Sequence, residues 1–364
     1  MTKPVQLPPP EPLGWANWRA ALQGHSELVA WEFGCYTDAW VVGQVDDELG
    51  PVKLLNPVAA LRDEAAAMAI IIRFSAHRPD DPPKPIRLHT HYDRYLAVDI
   101  GEEIAALVSL ALGIRCRSGG LIREFRLDDD PRGRHLGYAH SAPYLRRPIA
   151  LRGSQLPRIA RDADGQQRRV NLSEAVPLLR RYPYASQKKA IALVRAAHIY
   201  SEAIWSCDTD PQAAWLSLVT ACEIAAAERY GTNDPKNRRR KNRAPGATKR
   251  FVDFVSAYAP SPPAERPSIG ALKWTDMKRH ADLIYHWRSR ALHDGLPFPP
   301  TMSEIPRAYA DDGIPAETPL GLGVSSGTSS WRREVTPMLL HTFAYIVRGA
   351  LIRWWQETPL RKSV

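Results

Sequence analysis

The residues with the clearest chemical potential lie between Tyr285 and Gly295, near the end of a predicted helix. This stretch contains Arg288, Ser289 and His293. An arginine can hold a phosphate through a forked pair of N–H donors. A histidine is the side chain best suited to carry a proton near neutral pH. Together they predict phosphodiester chemistry on RNA without a metal or a cofactor.

The spacing of this arginine and histidine has low specificity on its own. An arginine followed after four to six residues by a histidine also occurs at Arg19/His25, Arg134/His140 and Arg279/His286. Only the instance at Arg288 lies late in a long amphipathic helix, with a serine beside the arginine and Asp-Gly after the histidine. The alternative interpretation is an arginine paired with a carboxylate for structure, and a histidine favoured by the dipole at the helix end.

Helix geometry adds a constraint on this pair. Residues five apart on an ideal helix point about 140° apart around the axis. Arg288 and His293 of one chain therefore do not share a face well. Either fraying at Gly295 or a second copy of the chain across a two-fold axis would bring the two groups together.

The charge of the chain favours an anionic partner. Its 364 residues carry a formal net charge of +10 at pH 7, and RNA is the partner that we expect. The densest basic run lies between two predicted helices, and the residues predicted to contact the RNA backbone are Arg238, Arg239, Arg240, Lys241 and Arg243. A solvated loop is the alternative interpretation of this run.

Several functional classes are disfavoured by the sequence. The four cysteines form no Cys-x-x-Cys pair, which argues against a zinc site and fits a reducing compartment. His89, His91 and Asp93 have a spacing that can bind a metal, but no further ligands can be identified, so we expect no metal. The stretch Met1–Pro8 lacks the apolar core of a signal peptide, so we expect none, and no run reaches the roughly 18 apolar residues of a membrane span. We expect a cytoplasmic protein without a membrane partner.

The first half of the chain has mixed patterns that predict an α+β region. Residues 1–14 read as a flexible, proline-rich lead, and residues 15–170 as an α+β domain of unknown function. Strands are predicted at 29–33, 39–43, 94–100 and 121–127, and helices at 57–75 and from Glu102 to Gly113.

The second half predicts an all-α helical bundle over residues 184–358. Ser186 is placed to cap a helix that runs to about residue 205, and Pro211 to open the next one, which ends at Gly231. Further helices are predicted at 246–258, 272–293 and 331–357. The helix that ends near Gly231 contains Glu223, a carboxylate within an apolar segment.

At this point the sequence resembles the HEPN superfamily, and is most similar to the branch called Apea-like HEPN. The resemblance rests on Tyr285-x-x-Arg288-Ser289-x-x-x-His293-x-Gly295 preceded by the Glu223 helix, and it covers about residues 184–357. Two positions depart from the family pattern: Asp294 stands between the histidine and the glycine, and Ser289 takes the place of the asparagine common in related branches.

The resemblance implies a metal-independent endoribonuclease whose site forms where two copies of the bundle meet. His293 would act as general base or acid, Arg288 would hold the scissile phosphate, and Ser289 would orient a phosphate oxygen or the histidine. Glu223 would orient Arg288. Tyr285 and His286 would touch substrate, and His286 is the alternative proton carrier.

Domains of this type often serve as toxins or defence effectors. The N-terminal half is therefore expected to sense a trigger or restrain the nuclease, by itself or through a partner that the sequence does not identify. The runner-up function is a non-catalytic bundle that binds nucleic acid, a nucleotide or a protein partner, and a third is a purely structural dimerisation module.

Overall fold

A computed structural model describes residues 11–25, 29–37, 39–56, 67–76, 99–126, 169–231, 245–311, 313–320 and 332–360. It shows an N-terminal α/β region with a small antiparallel sheet, followed by a C-terminal helical region. The strands are β1 (Val29–Thr37), β2 (Trp40–Val42), β3 (Val52–Leu55), β4 (Ala67–Ala76), β5 (Arg117–Arg126) and β6 (Arg169–Asn171). The helices are α1 (Leu13–Leu22), α2 (Ile100–Leu112), α3 (Val176–Leu179), α4 (Gln187–Ser206), α5 (Pro211–Tyr230), α6 (Ala247–Tyr258), α7 (Met277–His293) and α8 (Leu340–Gln356).

The sheet has β1 and β4 at its centre. Its strand order is β3-β4-β1-β5, and each neighbouring pair is antiparallel. β1 is buried along almost its whole length, as expected for a strand with neighbours on both sides and apolar packing on its faces. A separate parallel pair joins β2 to β6, so that Val41 lies opposite Val170.

Helix α2 connects the sheet to the helical region. The Asp99 carboxylate accepts a hydrogen bond from the Glu102 N–H at 2.7 Å and caps the helix, and Gly113 ends it with a φ of 68°. A Cβ at Gly113 would lie 2.7 Å from Arg348 Nε, and this guanidinium donates to the carbonyls of Leu110 and Ala111. A glycine is therefore required both by the left-handed backbone and by the close arginine.

Local capping signals determine the long helices of the second half. The Ser186 side chain accepts from the Lys189 N–H at 3.2 Å, and the Asp210 carboxylate accepts from the Ala213 N–H at 2.9 Å. Pro211 is the first residue of α5, where its missing N–H costs nothing. The predicted helix ends near residues 205, 230, 258 and 293 are confirmed within a residue or two. The predicted start at residue 272 is wrong, because α7 begins at Met277 after a single 3-10 turn at Trp274–Asp276.

Several predicted elements in the rest of the chain are wrong. Residues 67–75 of the predicted helix 57–75 lie in strand β4, and residues 57–66 lie outside the described ranges. Ile100, predicted in a strand, is the first residue of α2. Leu13, predicted in a flexible lead, begins α1. The last helix begins at Leu340 rather than near 331 because Pro337 precedes it and lacks the N–H that a helix interior needs.

The two regions are joined by a continuous apolar core. One cluster of buried side chains extends from Trp15 in α1 to Trp355 in α8. Polar contacts cross the same boundary: the buried Arg115 donates to the Ile204 carbonyl at 2.8 Å and pairs with Asp208. The helical region therefore rests directly on the N-terminal region.

Within the described part of the chain, no helix is both long enough and apolar enough to cross a membrane.

Candidate functional site

The candidate site is carried by α7, which packs against α5 and α6. Its buried face includes Ala281, Ile284 and Tyr285. The helix ends at His293, with Asp294 as its C-cap and Gly295 at a φ of 68°. The Leu296 N–H returns to the Arg290 carbonyl at 3.2 Å and closes the final turn. Helix α7 therefore ends at a fixed point, and His293 lies in its last turn.

Glu223 of α5 holds two residues of the predicted motif. Its carboxylate pairs with Arg288 at 2.8 Å and accepts a hydrogen bond from the Tyr285 hydroxyl at 2.9 Å. The Arg288 guanidinium lies 5.3 Å from the centre of the Tyr285 ring. We call these three residues the Glu223 cluster. The expectation that Glu223 orients Arg288 agrees with these contacts.

Burial and neighbouring groups change the acidity of Tyr285. Burial is the main cause that raises the pKa of its hydroxyl, and the nearby Glu223 carboxylate acts in the same direction. A hydrogen bond with the Thr248 side chain and the Arg288 charge oppose the shift. Tyr285 therefore stays a neutral donor at physiological pH and helps to fix the carboxylate. Thr248, in the first turn of α6, had no sequence signal that could have identified it.

Arg288 retains free hydrogen-bonding capacity. The side chains of Arg288 and Glu223 are 21% and 20% exposed, and one terminal nitrogen of the arginine makes the contact. Within the described ranges, no other acceptor bonds the guanidinium. Since a guanidinium has five N–H donors, Arg288 is held in place with donors left for an anion.

A second group of residues, three of them from the stretch Tyr285–Gly295, lies on another side of α7. Asp282, His286, Ser289 and His293 are spaced by four, three and four residues, which places them on one helix face. The aspartate and both histidines are exposed, and the serine is partly buried. None of the four makes a hydrogen bond or ion pair with another described residue. We call them the α7 stripe. Asp282 was missed by sequence reasoning, although its position four residues before His286 would have revealed it.

The structure therefore separates the predicted site residues into two sets. Glu223, Tyr285 and Arg288 come together, whereas His286, Ser289 and His293 lie on another face of the same helix. Asp294, next to the catalytic candidate His293, faces Arg290 at 3.7 Å. Arg288 and His293 do not share one face within a single chain, as the spacing predicts.

The predicted RNA-binding residues Arg238, Arg239, Arg240, Lys241 and Arg243 lie outside the described residues. The segment that contains them joins the end of α5 to the start of α6. Two basic residues that follow the segment, in α6, have partners in the structure. Lys249 pairs with Asp253 at 2.9 Å, and Arg250 donates to the Pro245 carbonyl at 2.8 Å. Thr248, in the first turn of the helix that follows this segment in the sequence, contacts Tyr285 of the Glu223 cluster.

Among the residues that the structure describes, no group of three histidine, cysteine, aspartate or glutamate side chains is arranged to hold a metal ion. The pair His89 and His91, with Asp93, lies outside those residues. The four cysteines are buried, and none of them forms a disulfide.

Comparison of the chain with protein-family models, with curated proteins and with solved structures found no match.

Proposed function

We propose that the protein is a metal-independent endoribonuclease with a HEPN-like helical bundle, whose active site forms between two copies of the chain. The proposal rests on one observation about Arg288: its side chain is held in place, yet most of its hydrogen-bond donors are unused within the described residues. Its guanidinium is fixed by Glu223 and Tyr285 while most of its donors stay available. The same helix presents two exposed histidines and a serine on another face.

These groups match the needs of RNA cleavage through the ribose 2′-hydroxyl. A base removes the 2′-hydroxyl proton, the oxygen attacks phosphorus, and the P–O5′ bond breaks as the 5′ oxygen gains a proton. The products are a 2′,3′-cyclic phosphate and a 5′-hydroxyl end. His293 carries one of the two protons, and Arg288 offsets the growing negative charge on the phosphate. Ser289 orients a phosphate oxygen.

A dimer supplies the geometry that one chain lacks. Arg288 is bound on the α5 side of α7, and His293 projects from a face about 140° away. A two-fold axis beside α7 would place Arg288 of one subunit opposite His293 of the other. The exposed Leu292 and Leu296, which flank His293, provide apolar surface for such a contact.

The basic segment before α6 is proposed to attract the RNA backbone. The excess positive charge of the chain favours phosphate binding through release of counterions. Helix α6 follows this segment in the sequence, and Thr248 in its first turn contacts Tyr285. RNA bound by the basic segment would in this way be held near Arg288. A toxin or phage-defence role in the cytoplasm, restrained by the N-terminal region, accords with the resemblance and with the direct packing of the two regions.

The proposal predicts that Arg288→Ala and His293→Ala each lower RNA cleavage by about 100-fold to 10,000-fold, because each removes a group that acts in the transition state. The measurement is cleavage of end-labelled RNA in EDTA, with identification of the cyclic phosphate. Arg288→Lys keeps the charge but loses the fork, and we expect it to rescue little.

Arg290→Ala is the matched control for these variants. Arg290 lies two residues after Arg288, and its exposed contact with Asp294 has a nitrogen–oxygen distance of 3.7 Å. Its removal should leave the cleavage rate close to that of the wild type. Unchanged cleavage by Arg288→Ala and His293→Ala, with folding verified by circular dichroism, contradicts the proposal.

The second candidate function is a non-catalytic bundle that binds nucleic acid. It is favoured by the ion pair between Arg288 and Glu223, which neutralises the arginine as a purely structural pair would. It predicts RNA binding that weakens as salt rises, with no new RNA ends.

A further inference from the structure

The α7 stripe has a property that the proposed function does not require. His293 lies seven positions after His286, so on an ideal helix the two residues differ by only about 20° in direction and about 10.5 Å in height. Both side chains are exposed. Neither imidazole is bonded to another described residue, whereas His280 on the same helix bonds the Lys273 carbonyl at 3.0 Å. The His286 ring contacts the edge of the Trp287 ring at 5.7 Å between centroids, but the ring nitrogens of both histidines make no hydrogen bond to another described residue. Two exposed imidazoles thus lie on the same face of α7.

RNA cleavage needs two proton carriers. One accepts the proton of the 2′-hydroxyl and the other donates a proton to the departing 5′ oxygen. Arg288 is a poor candidate for either task, because a guanidinium stays protonated in proteins. The other members of the stripe are a carboxylate, Asp282, at its far end, and the Ser289 hydroxyl.

Resting on the ribonuclease function proposed above, we propose that His286 and His293 of one subunit are the two proton carriers, acting on a phosphate held by Arg288 of the partner subunit. Their separation leaves room for one phosphodiester between the imidazoles. Arg288 of the same subunit points about 160° away from His286 and is tied to Glu223. The phosphate must therefore be held from across the dimer.

The first test compares three histidines of α7. His286→Ala should lower cleavage by about 100-fold to 10,000-fold, as should His293→Ala. His280→Ala should leave the rate near the wild-type value. Since His286 is exposed, its replacement should leave the circular dichroism spectrum and the dimer mass unchanged. If Arg288→Ala and His293→Ala are inactive while His286→Ala cleaves normally, this inference is overturned and the ribonuclease proposal stands. If the wild type does not cleave RNA, both fail.

The second test assigns the protons. An RNA substrate with sulfur in place of the 5′ bridging oxygen releases a thiolate, which leaves without a proton. The variant that lacks the acid should regain most of its rate on this substrate, and the variant that lacks the base should not. Rescue of both variants, or of neither, contradicts the assignment.

The third test uses mixed dimers. Co-refolded Arg288→Ala and His293→Ala chains should recover about a quarter of the wild-type activity, because half of the dimers are mixed and each mixed dimer has one intact site. Co-refolded His286→Ala and His293→Ala chains should recover none, because both imidazoles of a site come from one chain. Recovery in the second mixture would show that the histidines come from different subunits.

Discussion

Two carboxylates of this molecule bind arginine, but in opposite ways. Glu32 in the N-terminal sheet is fully buried and pairs with both Arg73 and Arg123, each through two nitrogens at 2.5–2.7 Å. Glu223 in the helical region is partly exposed and contacts Arg288 through one nitrogen. The difference arises from position. Glu32 lies directly opposite Arg73 on β4 and Arg123 on β5, so the sheet register brings three charges together. Both oxygens of Glu32 are taken up by buried ion pairs that stabilise the fold. Glu223, in contrast, leaves its arginine with donors that can bind another anion.

The largest expected effect is on stability. Glu32→Gln should lower the free energy of unfolding by about 3–5 kcal/mol, because it leaves two guanidinium groups without their buried counter-charge. Urea unfolding followed by tryptophan fluorescence measures this. Glu202→Gln is the control: the Glu202 and Arg117 side chains of this pair are 45% and 35% exposed, so the pair should contribute about 1 kcal/mol or less. Equal losses of stability in the two variants would show that the pairing of Glu32 with Arg73 and Arg123 does not stabilise the fold.

A smaller effect is expected from Glu103, another buried carboxylate of the N-terminal region. It accepts hydrogen bonds from the Gly14 and Trp15 N–H groups at 2.9 Å and from the Tyr182 hydroxyl at 2.5 Å. Burial nevertheless raises its pKa from 4.5 to about 7. The folded protein therefore holds the proton more tightly than the unfolded chain between these two pH values.

Consequently the free energy of unfolding should fall by about 3 kcal/mol as the pH rises from 4.5 to about 7, and it should level off above pH 7. Thermal unfolding at a series of pH values, compared with Glu103→Gln, isolates this contribution. Asp99, whose pKa burial raises to about 6, acts in the same direction in both proteins. If the unfolding temperature of the wild type changes with pH in parallel with that of Glu103→Gln, the prediction is contradicted.

The smallest effect on stability is expected at Glu223. Glu223→Gln should cost about 1–2 kcal/mol, since it weakens hydrogen bonds to a partly exposed arginine. Under the proposed function its effect on RNA cleavage should be larger, up to about 100-fold, because a guanidinium displaced by about 1 Å no longer meets the phosphate. Unfolding and cleavage are measured on the same preparation. A loss of stability as large as that of Glu32→Gln would remove the contrast between the two clusters.

The helices of the second half were predictable because their signals are local. Ser186, Asp210 and Pro211 mark helix starts through bonds to residues only three positions away. Gly295 marks the end of α7 through its left-handed backbone. Such signals depend little on the rest of the fold, so the sequence predicts them well.

Strand β4 shows the opposite case. Its run of three isoleucines, Ile70 to Ile72, is buried because β3 and β1 pair with its two edges and other residues cover its faces. A strand buried in this way has no alternating pattern and cannot be distinguished from a buried helix by periodicity. The preceding alanines favoured the helical prediction.

For the candidate site, the sequence alone determined which side chains are present on α7 and in which directions they point, because a helix converts spacing into angle. The separation of Arg288 from His293 follows from that rule without any structure. Tertiary packing decided the rest: the arrival of Glu223 beside Arg288, the contact of Thr248 with Tyr285, and the lack of hydrogen bonds and ion pairs between the α7 stripe and other described residues. These depend on which distant helices meet, and hydrogen bonds between residues more than sixty positions apart have no signature in local spacing.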